Sequence, residues 1–411
     1  MTRTTNRPST SCSEALVRPR QRLESLRLAA FSLAPSRGGV FRVLLLSLAA
    51  VTAQAAPTPI EIDFSPRQVL LSLPDLPAPA AAGAGDPATM ADQVQAYLEQ
   101  ARRDGDPRFL GYAQKRLANW PADRMTDRLL VLRATLRQSL HQFDQARADL
   151  DRVLAGDASR ANRIQALLTL ANLEIVQGNY GRAGDLCGRL QEVYPVLIAA
   201  SCQAQVRARS GDANAAFQTL EAVMASSHAD ATARAWVLGT LAELAIQLDR
   251  RDAEKYLRRA LQSAPGDLYL RGLYADWLLS QDDHEGTLAV TAGFDSVDSL
   301  AVLRAIALQR LDHPDAEALI SNLAQRFAEA RWRGTLLHQR DYARFLLDVR
   351  GDAEAAKVHA AANWQSQREP LDTRLLMRAA IAAGDNEVLA QTRAWLSQQQ
   401  QRDARYPETK P

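Results

Sequence analysis

Nine short breaks recur along residues 90–400, at Gly105-Asp106, His141-Gln142, Gly178-Asn179, Gly211-Asp212, Asp249-Arg250, Asp282-Asp283, Asp312-His313, Gly351-Asp352 and Gly384-Asp385. From Gly105 to Gly384 the interval between breaks averages roughly 35 residues, a spacing that suits a stack of two-helix units and does not suit propeller blades or leucine-rich repeats. The chain is therefore expected to be all-α, an α-solenoid of about nine helix-turn-helix hairpins over residues 89–400.

One stretch, Arg163 to Pro195, shows the unit most clearly. Ile164, Leu167, Leu168, Ala171 and Ile175 follow the three-and-four spacing of one helix face. Gly178 stops that helix by tolerating a left-handed backbone. From Tyr180 a second helix carries Ala183, Leu186, Cys187, Leu190 and Val193 on its apolar side until Pro195 ends it. Alone, such a hairpin could not bury two apolar faces, so it needs like neighbours. A composition of 47% hydrophobic but only 6% aromatic residues fits helix packed on helix.

At this period the units resemble tetratricopeptide repeats (TPR). The turn Gly, following aromatic, small residue, large packing residue and closing Pro of that family fall on Gly178, Tyr180, Ala183, Cys187 and Pro195. Phe143, Ala146, Leu150 and Val153 repeat the later parts in one unit, and Ala253, Leu257, Ala260 and Pro265 in another. The chain departs from the family at Glu174, where an aromatic is usual, and at the short second helix before Asp295. The resemblance implies an array whose first helices line a concave groove for a partner's peptide or helix. The inner position follows the small packing residue of each first helix. That rule selects Thr135, Asn172, Asp276 and Arg344, with Arg340 one turn before Arg344, as partner-binding candidates.

The N-terminus points to export. Eight Arg and two Glu precede residue 57, the apolar run VLLLSLAAV spans 43–51, and Ala53-Gln54-Ala55 follows. This order of parts predicts a signal peptide over 1–55 with a long basic leader, cleaved near Ala55, and a periplasmic or secreted bacterial protein. Val40 would begin a more compact signal sequence. The apolar run is short for a membrane span, so no stable membrane insertion is expected after cleavage. Residues 56–88 read as a Pro/Ala-rich linker, and 401–411 as a disordered tail. The whole chain is +2 and the segment ahead of Pro57 is +6, which leaves the mature part near −4. That balance gives no electrostatic reason to hold nucleic acid.

Cys187 and Cys202 remain after cleavage, one on a second helix and the other on the first helix that follows. They read either as a disulfide, which would stabilise the fold by about 3 kcal/mol, or as two small buried thiols. Nothing in the chain suggests chemistry. His141, His228, His284, His313, His338 and His359 lack metal-ligand spacing, and there is no phosphate loop or nucleophile elbow, so neither catalytic residues nor a cofactor is expected. Asp282-Asp283-His284-Glu285 reads as a capping turn, and Arg331-Trp332-Arg333 as a solvated helix face. The expected function is that of an exported, non-enzymatic scaffold binding a protein or peptide in its groove. The alternatives are an accessory subunit of a cell-envelope enzyme or assembly complex, and a structural spacer.

Overall fold

A computed structural model of the chain describes residues 85–194, 197–227 and 231–407. The expected signal peptide, almost all of the linker, Pro195, His228 and residues 408–411 lie outside these. The described residues form nine antiparallel helical hairpins. In order they are α1 (Pro87–Asp104) with α2 (Arg108–Ala118), α3 (Asp127–Ser139) with α4 (Phe143–Ala155), and α5 (Arg160–Val176) with α6 (Tyr180–Val193). Next come α7 (Leu197–Arg209) with α8 (Ala213–Ser226), α9 (Ala231–Gln247) with α10 (Ala253–Ser263), and α11 (Leu268–Ser280) with α12 (His284–Thr291). The last three are α13 (Asp298–Arg310) with α14 (Ala316–Trp332), α15 (Gln339–Asp348) with α16 (Ala353–Trp364), and α17 (Pro370–Ala382) with α18 (Asn386–Gln398). Each hairpin packs on the next, as an α-solenoid requires.

The nine breaks share one backbone event, a residue of positive φ. Gly supplies it at 105, 178, 211, 351 and 384, while His141, Asp249, Asp282 and Asp312 adopt it with a side chain. The following Asp often starts the next helix: Asp352 and Asp385 accept from the amides of Ala355 and Val388, each at 3.0 Å, and Asp283 from that of Gly286 at 2.8 Å. A Gly-Asp pair thus ends one helix and caps the next, so two local demands generate the recurrence.

Packing follows the repeat positions. Tyr180, Ala183, Cys187, Phe143, Ala146, Leu150, Val153, Ala253, Leu257 and Ala260 are all buried. The structure joins Cys187 to Cys202 as a disulfide across α6 and α7, with Cα atoms 5.6 Å apart. Glu174, the departure from the aromatic position, is fully buried. Arg147 donates to it at 2.7 Å from the preceding hairpin, Asn179 donates at 2.7 Å from the turn, and Arg182 stands 3.3 Å away. Charge and hydrogen bonding replace the ring that would fill this place.

The stack also coils back on itself. A methyl on Gly105 would lie 3.0 Å from Leu268 and Val297 of the sixth and seventh hairpins. His141 meets His338 edge to face at 5.9 Å. The amide of Arg368 donates to the carbonyl of Val176 at 2.7 Å, and Trp395 lies against Gly178 and Tyr180. Gln400 covers Gly211, and Ala404 donates to the carbonyl of Gln247 at 3.0 Å. Successive turns of the first half rest on progressively later parts of the second. Residues 401–407 therefore depart from the expected disordered tail: their backbone and side chains find partners on α6 and α9, which offsets the cost of ordering them.

Candidate functional site

The five groove candidates border three cavities. Thr135 borders a cavity of about 270 Å³ together with His141 and His338. Asn172 and Arg340 line one of about 420 Å³ with Gln205, Trp236, Thr240, Glu243, Tyr269 and Glu369. Asp276 and Arg344 border a third of about 350 Å³ with Arg374, Arg378 and Arg405.

Asp276 is 5% exposed and accepts from Arg344 at 2.9 Å and from Arg374 at 2.6 and 2.8 Å. Burial pushes its carboxyl up, but Arg374 and Arg344 outweigh burial and hold it well below the usual carboxylate value. Arg344 also meets Asp348, which accepts from Arg378 at 3.1 and 2.5 Å. Arg340 bonds to Glu369 at 3.1 Å and to Asp372 at 3.3 Å. Thr135 donates its hydroxyl to the carbonyl of Val131 at 3.0 Å. Asp276, Arg340 and Arg344, named as partner-binding candidates, are bonded to residues of α11, α15 and α17 and of the loop before α17. The coil brings those elements within reach, and a buried charge that finds an opposite charge inside the fold keeps it. Asn172 remains on the wall of the 420 Å³ cavity.

Arg374 and Arg378 were not foreseen from the sequence. The period contained the signal, because they lie one repeat length after Arg340 and Arg344 respectively. Gln247 and Tyr180 were not foreseen as contacts for the tail either, and for these no local pattern exists. Tyr269 donates to Glu243 at 2.8 Å, and Arg209 stands 3.6 Å from the same carboxylate. Burial raises the Glu243 carboxyl against the pull of Arg209 and Tyr269.

His141 holds a closure contact, stacked on Phe143 at 5.6 Å and edge-on to His338. Burial, then His338 and Arg340, push its imidazole down to about 4 from 6.5. Between these values the unfolded chain binds the extra proton, so stability present above pH 6.5 falls with pH and levels off near pH 4. Between pH 7.5 and 5, urea titrations should contain a His141 share that is a loss of about 2 kcal/mol at the lower pH, beside an opposite change from the Asp372 carboxyl, which burial raises to about 7. His141→Gln should remove most of that share, and an unchanged pH slope in the variant would assign it elsewhere.

Together these features define the class: among the described residues, an all-α solenoid of nine hairpins with a charged network and cavities bordered by the groove candidates. No family model and no curated protein sequence matches the chain. Among solved structures it is similar to the TPR domain of P58(IPK), with 15% identity over 73% of this chain and 95% of that one, at a TM-score of 0.20. At that score the two arrays do not superpose as wholes, and the fold stated here rests on the chain's own helices. Among the described residues no helix is long and apolar enough to cross a membrane.

Proposed function

We propose that this chain is an exported, TPR-like scaffold that binds a protein or peptide partner on its inner wall and performs no catalysis of its own. The observation that carries the reading is the 420 Å³ cavity beside Asn172. Its rim offers carboxamides, hydroxyls and the half-exposed faces of Trp236 and Tyr269, the mixture of adaptable polar groups and aromatic anchors that recognises polypeptide. Export rests on the order of basic, apolar and small residues before Ala55, and the Cys187–Cys202 bond supports an oxidising compartment, in bacteria the periplasm.

A photo-crosslinking residue at Asn172, compared with one at the exposed Val358 of α16, tests this in cells. One protein adduct, formed in the envelope fraction from position 172 and absent from position 358, is the expected result. Equal labelling from both positions, or a protein confined to the cytoplasm with residues before Val43 intact, would sink the reading.

A further inference from the structure

We propose that the strip formed by Tyr180 and Gln247 is a second peptide-reading surface beside the Asn172 cavity, and that residues 401–406 of the chain itself are its resident ligand, displaced by a segment of the partner that follows the same path. This deepens the scaffold reading and rests on it. Gln247, in the last turn of α9, is 3% exposed. Its carboxamide nitrogen donates to the carbonyls of Ala208 at 2.9 Å and Arg402 at 2.7 Å, while the main-chain carbonyl of Gln247 accepts from the amide of Ala404. The first contact fixes the side chain, and the other two grip main-chain groups of the tail. Any extended segment carries such groups, so this part of the surface reads backbone.

Side chains of the tail alternate. Gln401 and Asp403 are 4% and 8% exposed, whereas Arg402 and Ala404 face outward. Residues 401–403 run along the surface, and a turn follows in which the amide of Tyr406 donates to the carbonyl of Asp403 at 3.1 Å. Inward, the Gln401 carboxamide accepts from the Tyr180 hydroxyl at 3.0 Å and donates to that of Tyr406 at 2.7 Å. Asp403 pairs with Arg405, whose guanidinium borders the cavity at Asp276. The partner that fits is thus a segment with a hydrogen-bonding side chain facing Tyr180 and, two residues later, a carboxylate at the start of a turn. Helix α18 ends at Gln398, so the tail follows a completed helix.

The test titrates a fluorescein-labelled synthetic peptide of residues 399–411 into the full chain and into the full chain carrying Gln401→Ala and Ala404→Pro. These substitutions remove the tail's contacts to Tyr180 and to the Gln247 carbonyl and leave the wall untouched. A tethered tail competes at millimolar effective concentration, so the substituted chain should bind the peptide at least about tenfold more tightly than the unsubstituted one. Adding Gln247→Ala should abolish the gain. Should the pair lower the melting temperature, Ala404→Pro alone carries the same comparison. Equal affinity for both chains, or no binding to a folded substituted chain, overturns the inference. The titration uses no partner, so its failure beside a successful crosslink at position 172 would remove the resident ligand and leave the scaffold reading standing.

Discussion

Replacing Asp276 with Ala should lower stability by about 3–5 kcal/mol, because it leaves two guanidinium groups in a closed part of the wall without their shared carboxylate. Arg344 and Arg374 have side chains only 16% and 9% exposed, so water cannot take over the lost hydrogen bonds in full. Removing Arg374 as well, in Asp276→Ala with Arg374→Met, should recover part of the loss, since one of the stranded charges is then gone. Urea unfolding of both variants at pH 7 measures the difference. Simple additivity of the two single changes would mean that the pair is not coupled as its geometry requires. The folded carboxyl value is depressed, so the stabilisation from Asp276 is complete above pH 3.8 and is lost as pH falls toward the folded value. That window lies below the one assigned to His141, and the two contributions separate in a pH series.

The second large effect is expected at Gly178. Its φ is +79°, and a Cβ there would lie 2.8 Å from Trp395 and 3.3 Å from Arg368. Trp395 cannot easily yield, because it packs edge-to-face on Trp364 at 5.3 Å and against Tyr180 at 6.2 Å. Gly178→Val should therefore cost about 3–4 kcal/mol, from left-handed strain together with overpacking. Gly351 is the control: its φ is +67°, yet nothing lies within 4 Å of an added Cβ. Gly351→Val should cost only the strain, about 1–2 kcal/mol. Equal losses at the two positions would show that no element presses on Gly178.

The difference between these glycines also marks how far the sequence could be read. A left-handed residue is a demand of the local chain, joined by a capping Asp at Asp283, Asp352 and Asp385, and so all nine breaks were visible without a structure. Burial of Ala183 or Leu150 follows from helical spacing alone. The repeat rule selected Thr135, Asn172, Asp276, Arg340 and Arg344 as candidates for partner contact. What it could not supply is the pitch of the coil, which accumulates from small rotations between neighbouring hairpins. Only that pitch brings Arg374 to Asp276, 98 residues away, and Gln401 to Tyr180, 221 residues away. Glu174 shows the same limit at shorter range: it was visible as a departure from the family pattern, while Arg147, which makes it tolerable, belongs to the preceding hairpin.

Closure of the coil underlies the account of the charged network, of Gly178 and of the tail. Hydrogen exchange at the amides of Arg368 and Ala404 tests it most directly, since each donates across the closure, to Val176 at 2.7 Å and to Gln247 at 3.0 Å, and neither lies in a helix. In the unsubstituted full chain both should exchange at least about a hundredfold more slowly than free peptide amides. Exchange of both at the free rate, with the helical amides of α5 and α9 still protected, would contradict closure.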